Sequence, residues 1–208
     1  LLATARPSFM PGAVGLKLHN HTVWNGAFKP DVWETPEWTA VFAEAEKLGM
    51  PCLWHVTQIE GAGRYSGEGS SQHREQAGNA ELLERFLKIV DRFKGITFVG
   101  AHLLYVGDAM LDRLFTTHSN LAVDTSFGYF LRFGDVLHED DFAPARIFAM
   151  KWSDRLLFGT DNRTGAAHSN PVCFEAFRCH LRYIKALRLP QEALDRICWL
   201  NAKRIFQL

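Results

Sequence analysis

Hydrophobic and polar positions in this chain alternate between two periods, one suited to strands and one to helices. Residues 13–19 form a short, mostly apolar run, Ala13-Val14-Gly15-Leu16-Lys17-Leu18-His19, which predicts a strand. The polar and aromatic stretch 20–30 predicts a loop. Thr35 before Pro36 suits an N-cap followed by a first helical residue. Over 37–48, Trp38, Val41, Phe42 and Ala45 share one side of a helix, and Gly49 ends it. A buried strand follows at 52–56. Asn79 is placed to cap a helix over 80–94, where Leu82, Leu83, Phe86, Ile89, Val90 and Phe93 recur at helical spacing. Strands at 96–102, 121–125 and 156–160 then alternate with helices at 108–118 and 143–152. Helices at 174–188 and 191–200 follow, the last continuing to residue 206.

Strand and helix thus repeat in turn, which predicts right-handed βαβ units and a parallel sheet. The expectation is a single α/β domain over 1–208, with five strands. No glycine-rich phosphate loop follows any strand, so a dinucleotide-binding or P-loop domain has no support. The segment 57–78 is long, rich in Gly and Ser, and carries Arg64, Tyr65, His73 and Arg74. A loop of that length inside a compact domain is functional or disordered, and a mobile cover over a site is the expectation here.

Composition narrows the partners. The 208 residues are 47% apolar and 22% charged, ordinary for a globular domain with one sizeable core. Acidic and basic residues balance at 23 each, which gives no electrostatic footprint for nucleic acid or a membrane surface. No signal peptide or long apolar span is visible. The four cysteines, Cys52, Cys173, Cys179 and Cys198, show neither metal-ligand spacing nor a disulfide framework. A reducing, cytoplasmic setting and a small-molecule substrate are expected.

Three ionisable residues share one structural address. His55 ends the second predicted strand and His102 the third. Asp161 ends the fifth, in Leu156-Leu157-Phe158-Gly159-Thr160-Asp161. Strands of a parallel sheet point the same way, so these ends meet on one face. Two imidazoles and a carboxylate suit zinc, manganese or iron. Singly, each reads as well as a hydrogen-bonded core histidine or a helix-capping aspartate; together they point to a shared site.

The same segments carry a family resemblance. They are Gly15-Leu16-Lys17-Leu18-His19, Pro51-Cys52-Leu53-Trp54-His55, Phe98-Val99-Gly100-Ala101-His102, Leu157-Phe158-Gly159-Thr160-Asp161 and Asn201-Ala202-Lys203-Arg204-Ile205-Phe206. The chain resembles the amidohydrolase superfamily of metal-dependent hydrolases, within it the amidohydrolase-related group that includes the aminocarboxymuconate-semialdehyde and resorcylate decarboxylases. The resemblance implies a (β/α)8 barrel of TIM type, with the first four of these segments as strands four, five, six and eight and 121–125 as strand seven. It implies His55 and Asp161 as metal ligands. His102 is implied as a ligand in two-metal members or an acid/base residue in single-metal ones, and Asp161 as the base in hydrolytic members.

The family's first strand ends in His-x-His, and His19-Asn20-His21 offers that pattern. Only about 36 residues separate it from His55, too few for three further strand–helix units of roughly 30 residues each. The two histidines are therefore expected at the rim of strand four, as substrate contacts. Lys17 matches a position that is carbamylated in some members; a packing or rim role is expected for it. The resemblance thus covers strands four to eight, and the first three βα units are not in this sequence. Two strand edges, at 13–18 and 156–160, are then expected to be bare, favouring an upstream segment or a homo-oligomer.

The function this implies is a metal-dependent hydrolase, with zinc first among the candidate metals, acting on a small C–N or ester (lactone) substrate through a metal-activated water. Non-oxidative decarboxylation is the alternative within the superfamily, and a catalytically degenerate binding protein the alternative outside catalysis. Arg64, Arg74, Arg132 and Arg163 are candidates for holding an anionic substrate, though ordinary solvated charge explains any one of them.

Overall fold

The computed structural model describes residues 12–19, 23–24, 27–28, 31–57, 79–126, 142–161 and 171–208. The chain divides into two compact units, Leu1–Phe98 and Val99–Leu208. The strands β1 (Leu16–His19), β4 (Cys52–His55), β5 (Phe98–Gly100), β6 (Leu121–Asp124) and β7 (Leu156–Leu157) pair in that order in a parallel sheet.

In the first unit, β1 (Leu16–His19) runs parallel to β4 (Cys52–His55), with Leu16 opposite Cys52 and His19 opposite His55. Leu16 N donates to Pro51 O at 2.8 Å, and Cys52 N donates to Thr97 O at 2.9 Å, just before β5 (Phe98–Gly100). The stretch expected to be a loop contains an antiparallel pair, β2 (Val23–Trp24) and β3 (Ala27–Phe28). Two-residue strands are too short to show a period. Their signal is the intervening Asn25-Gly26, the dipeptide favoured in tight hairpins.

Helix α1 (Pro36–Lys47) begins as the sequence predicts: Thr35 is extended, and its hydroxyl accepts from Trp38 N at 3.5 Å. The helix ends before Gly49, whose φ of +65° suits a residue without a side chain. Helix α2 (Asn79–Arg92) buries Leu82, Phe86, Ile89 and Val90, four of the six residues its spacing predicts, while Leu83 is only half-buried. Asn79 is inside this helix and not the residue before it.

These helices and β4 enclose an aromatic core. Phe42, fully buried, stacks on Trp54 with ring centroids 5.8 Å apart. It also meets Phe93 at 5.4 Å and Phe98 at 6.3 Å, while Trp54 meets Phe86 edge-on at 5.4 Å. Such pairs add roughly 0.5–1.5 kcal/mol each beyond area burial, so this core fixes the direction in which β4 delivers His55.

In the second unit, β6 (Leu121–Asp124) runs parallel to β7 (Leu156–Leu157), with Val123 N donating to Arg155 O and Thr125 N to Leu157 O, both at 2.9 Å. Helices α3 (Asp108–Thr117), α4 (Phe142–Lys151) and α5 (Pro171–Ala186) follow the expected positions to within a few residues. Strand β7 is shorter than its apolar run suggests.

The final helix departs from the sequence reading. It comprises α6 (Gln191–Asp195), a π-turn (Arg196–Leu200) and α7 (Asn201–Phe206). In the π-turn Asn201 N donates to Arg196 O, one residue further than in an α-helix. The displaced carbonyl of Ile197 instead accepts from Phe158 N at 2.7 Å. Asn201 Nδ2 donates to Ser153 O at 2.7 Å and to Leu156 O at 2.8 Å. The sequence predicts a bare edge at 156–160; at Leu156 and Phe158 that edge is bonded to the last helix instead. Among the described residues no helix is long and apolar enough to cross a membrane, and Cys52, Cys179 and Cys198 are free thiols.

Candidate active site

Every strand of the parallel sheet delivers an ionisable side chain at or just beyond its carboxyl end. His19 closes β1, His55 closes β4 and Asp124 closes β6; His102 follows β5 and Asp161 follows β7.

In the first unit the imidazoles of His19 and His55 face one another, ring centroids 4.2 Å apart and planes inclined by 32°. Parallel in-register pairing makes them neighbours, because equivalent strand positions point to the same side. His19 is exposed and His55 half-buried. Lys17 points its charge to solvent. Cys52 is fully buried, and burial pushes its thiol well above the usual range despite the nearby Lys17.

In the second unit His102 does not lie on a strand. Strand β5 stops at Gly100, and His102, Leu103, Leu104 and Tyr105 all adopt left-handed backbone, with φ of 61°, 54°, 53° and 47°. Left-handed conformations cost L-residues roughly 1–2 kcal/mol each, so something must hold this turn. Burial is one part: Leu103 and Leu104 are almost completely enclosed. Asp124 is the other. Its Oδ1 accepts from His102 N at 2.9 Å and from Ser126 N at 3.0 Å, and the Ser126 hydroxyl also donates to it. The His102 ring, 3% exposed, brings Nδ1 to 3.1 Å from Ser126 O and 2.9 Å from Ser126 Oγ. Tyr105 stacks on it at 5.0 Å, planes 16° apart.

The exit of β7 runs alongside. Gly159 lies so close that an added Cβ would sit 3.6 Å from both Asp124 Cβ and Ser126 Cβ. Asp161 is exposed, at φ of 51°. Below the rim, Thr125 Oγ1 and His180 Nε2 are 2.9 Å apart, and the Phe158 ring lies 4.7 Å from that of His180, tilted by 36°. Burial pushes the His180 pKa down to about 4, so it is a neutral structural imidazole at physiological pH.

Of the residues singled out in sequence, His19, His55, His102 and Asp161 are described. His21, Arg64, Arg74, Arg132 and Arg163, with nearly all of 57–78, lie outside the described residues. Among the described residues no three His, Cys, Asp or Glu side chains converge as a metal site. The donor types available, imidazole nitrogen and carboxylate oxygen, do suit a borderline divalent cation. Asp124, Ser126 and Thr125 escaped the sequence reading. Asp124 had a signal, its place at the end of a strand like the other candidates.

Comparison with solved structures shows the fold. An uncharacterized TIM-barrel protein from Bordetella bronchiseptica matches 92% of this chain at 17% identity and a TM-score of 0.57. The 5-carboxyvanillate decarboxylase of Sphingomonas paucimobilis matches 94% at 16% identity, TM-score 0.58. A probable 2-pyrone-4,6-dicarboxylic acid hydrolase from Acinetobacter baumannii, with citric acid bound, matches 95% at 14% identity, TM-score 0.54. The match covers 57%, 58% and 65% of those three chains, so this chain spans less than two thirds of their length. The fold is thus that of the TIM barrel, over part of the barrel. No curated protein matches the sequence. Strand ends bearing histidine and aspartate on such a barrel agree with the remaining comparison: the amidohydrolase family model matches residues 10–208, and the chain belongs to that family.

Proposed function

We propose that this chain carries the metal-binding half of a divalent-metal-dependent hydrolase acting on a small C–N or ester (lactone) substrate. The observation supporting it most is the family match over 10–208 in a chain whose parallel strands each present an imidazole or carboxylate at the carboxyl end. In this reading His55 and Asp161 would hold the metal, joined by His102 where a second metal binds, with zinc first and manganese second among ions these donors suit. When bound, the metal polarises a substrate carbonyl and acidifies a bound water. Asp161 takes the proton of the attacking water. His102 passes a proton to the leaving group, or stabilises the charge that develops there. His19, beside His55, contacts the substrate, as do His21 and the arginines Arg64 and Arg163, which pair with an anionic group. The setting is cytoplasmic, and full activity draws on an upstream segment or a second copy.

Metal analysis combined with a substrate panel tests this. Expected are about one zinc or manganese per active site and release of acid from lactones or amides. Carbon dioxide release from hydroxylated aromatic acids would move the assignment to decarboxylation with the same ligands. A folded protein that takes up no divalent metal and turns over neither class would make it a binding protein.

A further inference from the structure

In-register pairing of β1 with β4 gives the His55 ring a wall. Paired residues share a side of the sheet, so His19 and His55 lie on the side opposite to Leu18 and Trp54. On that other side, the aromatic core around Trp54 holds the backbone of β4. It leaves the torsions of His55 itself open. An imidazole has three staggered wells at χ1 and about two at χ2, or roughly six ring positions. With centroids 4.2 Å apart and planes inclined by 32°, the two rings are in van der Waals contact. The space into which the His55 ring would swing toward β1 is therefore filled by His19.

We propose that His19 is a positioning residue whose ring holds the His55 imidazole in one orientation for a divalent cation. The inference rests on the proposed role of His55 as a metal ligand. The contact is between two rings, so an aromatic ring without nitrogens would serve at position 19 and a methyl group would not. Rotamer freedom that is frozen beforehand is not lost on binding. Releasing His55 over roughly six positions should weaken metal binding by up to about sixfold. His19 is exposed, so truncating it opens no cavity in the core.

Carbon-13 relaxation of the histidine ring carbons, in the metal-free chain at pH 8, measures how freely each ring moves. Side-chain couplings give χ1. His55→Gln identifies the His55 signals by their loss. The wild-type chain should show one χ1 and a rigid His55 ring with cross-relaxation to His19. His19→Ala should average χ1 and mobilise the ring. His19→Phe keeps a ring and removes both nitrogens, and should restore the wild-type pattern. Zinc competition with a chromophoric chelator should then show affinity several-fold weaker in His19→Ala and little changed in His19→Phe. A His55 ring as rigid in His19→Ala as in the wild type overturns the proposal, and so does zinc affinity unmoved by a mobilised ring. Equal effects in the alanine and phenylalanine variants would assign the role to a His19 nitrogen and also overturn it. The relaxation measurement involves neither metal nor turnover, so a chain that shows the expected pattern but binds no zinc refutes the proposed function alone.

Discussion

The side-chain amide of Asn201 donates to the carbonyl of Leu156 at 2.8 Å, joining the last helix to strand β7 across 45 positions of sequence. The same nitrogen serves Ser153 O at 2.7 Å, and the residue is 2% exposed. Both carbonyls lie where water cannot readily replace the donor.

Asn201→Ala should therefore destabilise the chain by roughly 2–4 kcal/mol, the cost of leaving two buried acceptors unmet. Asn201→Asp should be worse at neutral pH, since it sets a carboxylate against two carbonyl oxygens. Urea unfolding followed by circular dichroism measures this. A loss below about 0.5 kcal/mol in the alanine variant, the range of ordinary surface changes, would show the bonds to be dispensable.

His180 predicts a pH dependence. Its pKa is near 4 in the fold, because burial disfavours the charged ring, against 6.5 ordinarily. Between those values the unfolded chain binds a proton that the folded chain refuses, so stability rises with pH across that window and is lost as pH falls through it. The total is about 3 kcal/mol. His180→Gln, which retains a partner for Thr125, should flatten the stability profile between pH 4 and pH 6.5. Parallel profiles for the two proteins would remove His180 from the account.

Gly100→Ala tests the packing of the left-handed turn. A Cβ there would lie 2.4 Å from Leu104 Cδ2 and 2.7 Å from Leu104 Cγ, and Leu104 is fully buried. Leu104 cannot swing into solvent, so the turn must move. The expected cost is about 1–3 kcal/mol, as for overpacking elsewhere, with displaced NMR signals for His102. An unchanged midpoint and unchanged His102 signals would show that the turn tolerates the extra methyl.

Asp161→Asn tests the proposed base. The variant keeps shape and loses basicity, so kcat/KM in an active preparation should fall roughly 10²–10⁴-fold while the unfolding midpoint stays within error. Near-normal kinetics would exclude Asp161 from proton transfer.

Much of this fold was legible because local patterns and tertiary needs agree. Helix α2 buries four of the six residues its spacing marks, with Leu83 half-buried and Phe93 buried just past the helix end, and Thr35-Pro36 starts α1 where a cap and proline should. The failures are non-local. Nothing in Gly100-Ala101-His102-Leu103-Leu104 announces a left-handed turn, since the side chain that holds it, Asp124, comes 22 residues after His102. The π-turn has ordinary helical sequence, and the amide that meets its displaced carbonyl, at Phe158 just past β7, is remote in sequence. Asp124 has the same sequence signal as His55, a place at a strand's carboxyl end. The pairing of Trp24 with Ala27 has its sequence signal in the intervening Asn25-Gly26 dipeptide.

The π-turn also bears on how the protein is made. Strand β7 leaves the ribosome well before the helix whose displaced carbonyl receives Phe158 N, yet that amide gains its partner only when Ile197 arrives. Domains fold as units during synthesis, from the amino-terminal side, but this strand must wait with an unpaired amide beside an apolar run. Nascent chains stalled between Phe158 and Ile197 are therefore the ones that should need a chaperone, and emergence of Ile197 and Asn201 is the step that releases them.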